Sequence, residues 1–139
     1  MAGYSGTPLL KKLGIKEGDR VLLRNAPAAL PEELKEYSKS QLRERLDVVV
    51  LFAKSFAEFK RDFAAHMGSI KADGMIWAAW PKKASGIETD LTENAIRETA
   101  LKTPFVDVKV CAIDETWSGL KLVVRKEHRS QFAQELNRN

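Results

Sequence analysis

The segment Trp80-Pro81-Lys82-Lys83-Ala84-Ser85-Gly86 carries the densest set of chemically useful groups in the chain. Two ammonium groups, a hydroxyl, a glycine that admits close backbone approach and an adjacent indole suit a phosphate or carboxylate ligand. Trp117, beside Ser118 and Gly119, adds a second indole in what reads as a turn, where it would either contact a ligand or close one end of the core. Asp114 and Glu115 adjoin, and paired carboxylates can divide into acid and base. Alternation along a strand would aim these two at opposite faces. Cys111 stands in an apolar stretch without an acidic or basic helper, which reads as a small core residue. His66 and His128 are isolated, so no metal-ligand spacing exists and no metal is expected. The dinucleotide glycine fingerprint, the phosphate-loop glycine-lysine motif and the hydrolase serine elbow are all missing.

These groups belong to a chain of 139 residues, 44% hydrophobic and 30% charged, enough for one domain with a core and too short for two ordinary ones. With 23 basic and 19 acidic side chains the formal charge is +4, which tolerates an anionic partner without demanding one. Lys121, Arg125, Lys126, Arg129 and Arg138 gather toward the C-terminus, but Glu127 and Glu135 dilute them and no aromatic row accompanies them. Nucleic acid is therefore not the expected partner. A single cysteine precludes an internal disulfide and fits a reducing cytoplasm. The opening MAGYSGTPLL lacks the basic-then-apolar order of a signal peptide, and no apolar run approaches the roughly 20 residues of a membrane span, so no membrane association is expected.

The elements that must position the candidates follow from pattern. Thr7 as N-cap with Pro8 at the first helical position, the stripe Leu9, Leu10 and Leu13, and a closing Gly14 predict a short opening helix. Arg20 to Asn25 reads as a buried strand closed by Ala26-Pro27, and Pro31 to Tyr37 as a short helix. Asp47 to Ala53 is continuously apolar and rich in β-branched residues, the mark of a strand covered on both faces. Ser55 and Glu58 form a capping box ahead of Phe56, Phe59, Phe63, Met67 and Ile70 at helical spacing, with Lys71-Ala72-Asp73-Gly74 as the stopping turn. Met75 to Trp80 is a third buried strand, and Lys82 to Asp90 a loop at its carboxyl end. A helix opened by Thr92-Glu93-Asn94 ends before Pro104, and Val106 to Ala112 alternates as an edge strand. Glu115 to Gly119 reads as the turn to an antiparallel partner, Leu120 to Lys126, followed by a last helix around Phe132, Ala133 and Leu136.

This order predicts an α/β three-layer sandwich with a mostly parallel, Rossmann-like sheet of about five strands and a C-terminal antiparallel hairpin, ordered one, two, three, five, four. "IKEGDRVLLRNAP", "LDVVVLFAK", "KADGMIWAAWPKK" and the closing hairpin resemble a class I methyltransferase fold with its second and third strands reduced or removed. That resemblance implies S-adenosylmethionine held by a glycine-rich turn after the first strand and an acid ending the second. Here the turn reads Asn25-Ala26-Pro27-Ala28-Ala29 without glycine, and the acid has no clear counterpart between Leu30 and Leu46. The strings "MAGYSGTPLLKKLGIKEG", "WPKKASGIETDLTENAIRE" and "VDVKVCAIDETWSGLKLVVRKEHR" also resemble a family of small bacterial proteins catalogued as a domain of unknown function, which implies no activity.

The sequence is thus read as a cytoplasmic, non-catalytic module with no cofactor, binding a small anion or a protein partner through Lys82, Lys83, Ser85, Gly86 and Trp117. Open parallel sheets hold ligands outside the carboxyl ends of their strands, where this loop falls. The alternatives are a small transferase using S-adenosylmethionine or a nucleotide, and a homo-oligomeric scaffold built by pairing of the exposed edge strand.

Overall fold

The computed structural model describes residues 8–35, 37 and 45–137. In chain order they form α1 (Leu9–Leu13), β1 (Val21–Arg24), α2 (Glu32–Lys35), β2 (Leu46–Phe52), α3 (Phe56–His66), β3 (Ile70–Pro81), α4 (Glu93–Leu101), β4 (Phe105–Ala112), β5 (Trp117–Val124) and α5 (Arg129–Asn137). Short 3-10 turns lie at Met67–Ser69, Lys83–Ser85 and Lys126–His128. The five strands make one sheet in the order β1-β2-β3-β5-β4, the order expected from the sequence. β1, β2 and β3 pair in parallel, whereas β5 runs antiparallel to both β3 and β4. Four strands therefore share one direction. The expectation of a mostly parallel sheet holds for strand direction and only partly for pairing, because the reversed β5 sits between two others and makes both of its pairings antiparallel.

Helices cover both faces, which is why β2 reads as a continuous apolar run: Val48, Val49, Val50, Leu51 and Phe52 are all buried. One face carries α1 and α2, whose Leu9, Leu13 and Leu34 pack on Val48, Val50, Phe52, Trp77 and Trp117. The other carries α3, α4 and α5, whose Phe59, Phe63, Ile96, Ala100 and half-buried Phe132 pack on Leu51, Ile76, Phe105 and Leu122. Edge-to-face contacts link Phe63 to Phe105 at 5.3 Å and Phe105 to Phe132 at 6.1 Å.

Local signals act as their chemistry predicts at most boundaries. Gly14 closes α1 in the left-handed region at φ 76°. Thr7, expected as its cap, lies outside the described residues, and Pro8 takes the cap position. The Ser55 hydroxyl accepts from Glu58 N at 3.1 Å, while the Glu58 carboxylate reaches back to Lys54 N at 2.8 Å, one residue beyond the usual box. Thr92 caps α4 by accepting from Ala95 N at 3.1 Å.

Two boundaries differ from the sequence reading. Lys71 to Gly74 is part of β3 and not a helix-stopping turn, since β3 begins at Ile70. The register passes from Leu46 opposite Ile70 to Val48 opposite Met75, so β3 bulges there. Gly74 allows this: a Cβ on it would lie 3.0 Å from the carbonyl oxygens of Leu46 and Asp47 and 3.1 Å from that of Lys71. Trp117 likewise stands in β5 and not in the hairpin turn, because the Asp114 carboxylate tightens that turn by accepting from Thr116 N and Trp117 N, each at 2.8 Å.

Candidate functional site

β1, β2 and β3 end along one edge of the sheet, and their exits diverge: the chain leaves β1 toward α2 on one face and leaves β2 toward α3 on the other. In open α/β sheets ligands sit where exits diverge in this way, a place that falls here between β1 and β2, one strand away from the dibasic loop.

At the end of β1, Asn25 adopts φ 59°, alone among the described non-glycine residues in the left-handed region. Asparagine tolerates this conformation better than most side chains. Its amide donates to Phe52 O at 3.4 Å and to Asp62 Oδ2 at 2.8 Å, tying the β1 exit to β2 and α3. Asp62, 2% exposed, is the one buried charged residue among those described. Its Oδ1 takes Arg61 Nε at 3.3 Å and faces Arg24 Nε at 3.9 Å. Both guanidiniums turn their Nε inward, and their terminal nitrogens have no acidic partner among the described residues. Sequence reasoning missed Asp62. The signal was its place three residues after Phe59, on the apolar side of α3, where an acid must find a partner.

At the end of β2, donors and acceptors are committed internally. Lys54 O accepts from the Thr89 hydroxyl at 2.6 Å, and the Asp90 carboxylate accepts from Phe56 N at 2.8 Å. The loop after β3 is thereby fastened over the start of α3, where Phe56 N and Glu58 N are already occupied by Asp90 and Ser55.

At the end of β3, Lys82 N donates to Thr116 O at 2.8 Å, holding the loop against the β4–β5 turn. The Ser85 hydroxyl donates to Lys82 O at 2.6 Å and accepts from Ile87 N at 3.2 Å, so it shapes the loop. Gly86 closes the 3-10 turn at φ 79°, with open space beside its Cα. Lys82 is half-buried and Lys83 exposed, and neither ammonium meets an acid among the described residues. Trp117 is opposite Pro81 in register, 3% exposed, with its ring edge-on to Phe52 at 5.2 Å. Lys82, Lys83, Ser85 and Gly86 thus share one fixed loop, and Trp117 lies beneath its base as part of the core.

The remaining candidates fall elsewhere. Burial raises the Cys111 thiol above its usual range, more than Lys12 and Lys109 lower it, so it stays protonated. His66 Nδ1 meets Asp62 O at 2.8 Å, a contact within α3. Asp114 is engaged in the hairpin turn while Glu115 faces solvent, so these two are not placed as an acid and base pair. No group of three His, Cys, Asp or Glu side chains fit for a metal occurs among the described residues.

No protein-family model matches the chain, and no curated protein matches it. Among solved structures, it is similar to LepI in complex with SAM, with a TM-score of 0.50 and 10% identity over 84% of this chain and 39% of that one. The likeness shows the fold, a Rossmann-like α/β sandwich. Weaker likenesses reach a protein in the NADB-Rossmann superfamily from Streptococcus agalactiae, with TM-score 0.49, 9% identity, and 88% and 70% of the two chains covered. Magnesium protoporphyrin IX methyltransferase (ChlM) from Synechocystis PCC 6803 with bound SAH matches with TM-score 0.43, 18% identity, and 61% and 47% covered. The chain spans 33% of the B. subtilis tRNA methyltransferase TrmK, 47% of ChlM and 39% of LepI, less than half of each. Membership of the small bacterial family stays an expectation, since no family match supports it. No helix among the described residues is long and apolar enough to cross a membrane.

Proposed function

We propose that this chain binds a small anionic ligand at the carboxyl ends of β1, β2 and β3, with the Lys82-Lys83 loop as the principal contact. The observation that carries this reading is a loop fixed in place by Lys82 N–Thr116 O, the Ser85 hydroxyl and Gly86, whose two ammonium groups are left without acidic partners among the described residues. The edge as a whole is close to balanced in charge, so recognition rests on where donors point. Asp62, Glu58, Asp90 and Asp114 direct oxygens at internal donors, whereas Lys82, Lys83 and the outer nitrogens of Arg24 and Arg61 stay available. Arginine forks and lysine ammoniums together suit a carboxylate or phosphate. In a thermal-shift panel of anionic metabolites, the wild-type chain is expected to gain stability with at least one ligand, and the double variant Lys82→Ala, Lys83→Ala to lose that gain. An identical response in both would remove the loop from the site.

A second reading, a SAM-dependent transferase, is favoured by one geometric observation: the chain leaves β1 and β2 toward opposite faces, and Asn25 stands at that divergence in the left-handed region that favours glycine. Titration calorimetry with SAM and SAH at millimolar concentration separates the two readings, since absence of heat with both excludes this one.

A further inference from the structure

The α1-side face of the β4–β5 hairpin, away from the diverging strand exits, holds an arrangement that stability alone disfavours. Between Asp107, opposite Leu122, and Val110, opposite Leu120, β4 places two residues, Val108 and Lys109, against the single β5 residue Lys121. This bulge brings two lysines into cross-strand opposition, where like charges destabilise a sheet. Lys121 alternates with Trp117 along β5, so it lies on the face covered by α1. Its ammonium comes within 3.9 Å of where a Cβ on Gly14 would stand, and glycine at that position leaves it room. A third cation, Lys12 of α1, is tethered by donation to Ala112 O at 3.2 Å. Half-buried Cys111 stands on β4 between Lys109 and Ala112, whose carbonyl holds Lys12. Burial, and then the charge of Lys109, lower the pKa of Lys121. No acid among the described residues pairs with Lys109 or Lys121, and neighbouring Asp107 is committed to Arg97 Nε at 2.9 Å.

We propose that Lys12, Lys109 and Lys121 form an oxyanion site on this face, taking a phosphate or pyrophosphate group of a small soluble molecule. Lys109 and Lys121 oppose each other at the bulge and Lys12 is held further along β4, at Ala112, so one multiply charged oxyanion on this face would offset the repulsion between the opposed pair. Cys111 lines the site as a thiol and takes no covalent part. The site does not depend on the Lys82-Lys83 loop.

The test compares melting temperatures in sodium chloride, inorganic phosphate and pyrophosphate at matched ionic strength. For the wild-type chain, pyrophosphate is expected to raise the midpoint by roughly 3–10 °C at saturation, with chloride giving no such rise. Lys121→Met and Lys109→Gln are expected to melt above wild type in chloride, because each removes the repulsion, and to lose the pyrophosphate response. Lys82→Ala with Lys83→Ala is expected to keep that response, which separates this site from the loop. Alkylation of Cys111 by iodoacetamide should slow several-fold with pyrophosphate in the wild type and not in Lys121→Met. A wild-type chain indifferent to both phosphate and pyrophosphate, or an undiminished response in Lys121→Met and Lys109→Gln, overturns the proposal. A response to phosphate and pyrophosphate alike identifies a single phosphate group as the ligand chemistry, whereas a response to pyrophosphate alone identifies a diphosphate.

Discussion

Asn25 carries two loads that different substitutions separate. Its backbone is left-handed, and its amide is the shortest contact to the buried carboxylate of Asp62. Asn25→Gly keeps the conformation and loses the amide, whereas Asn25→Ala loses both. Denaturant titration is expected to find Asn25→Gly destabilised by about 1–3 kcal/mol, the usual cost of depriving a buried polar group of a partner. Asn25→Ala is expected to cost roughly 1 kcal/mol more, from the crowding of a Cβ in that region. Equal losses would show that backbone strain contributes nothing. Asn25 was visible in the sequence as the last residue of an aliphatic run before Ala26-Pro27, so its place at the strand end could be read. Its conformation and its hold on Asp62 could not, because both depend on how closely α3 settles against β1.

At the scale of elements, β3 and α3 are each decided by one small contact. Gly74 faces three carbonyl oxygens across the bulge, and backbone oxygens cannot move aside as a flexible side chain would. Gly74→Ala is expected to lose about 1–3 kcal/mol by chemical denaturation, in the range of overpacking. The Ser55 hydroxyl satisfies one exposed donor of α3, and Ser55→Ala should cost about 1 kcal/mol in the same experiment. The cap was legible because Ser55 and Glu58 precede a helical stripe of phenylalanines, a pattern with one physical meaning. The bulge was not, since Asp73-Gly74 is also a favoured turn pair, and only the approach of β2 distinguishes a glycine chosen for its φ from one chosen for its small volume. Trp117 misled in the opposite way. Four turn residues, Ile113 to Thr116, are enough once Asp114 accepts two backbone hydrogens, and the indole is then free to enter the core.

For the whole molecule, strand order and the two helical layers were readable because uniformly apolar strands demand cover on both sides. The divergence of exits was not, since the faces taken by α2 and α3 emerge only from the assembled sandwich. The amino-terminal edge of the sheet is held by Asp47, which accepts from Arg20 N at 2.8 Å and pairs with Lys71 Nζ at 2.9 Å, drawing together the entry to β1, β2 and β3. Burial alone would raise the pKa of Asp47, but the Arg20 hydrogen bond and the Lys71 ammonium together outweigh it and hold the carboxyl below its usual 3.8. A carboxyl depressed on folding stabilises the native state fully above its unfolded value, and the contribution fades as pH falls through the folded one. Stability measured from about pH 5 down to about pH 2 should therefore drop more steeply in the wild type than in Asp47→Asn. Parallel curves would count against the clamp.

The layer made by α1 and α2 is thin, and a buried hydrogen bond joins it to the sheet: Trp77 Nε1 donates to Leu13 O at 2.8 Å at the end of α1. An indole bonded in a dry interior emits at shorter wavelength than one reached by water. The amino-terminal helix is consequently wired to an intrinsic optical gauge, and lifting it from the sheet would redden the emission of Trp77 before the strands themselves part.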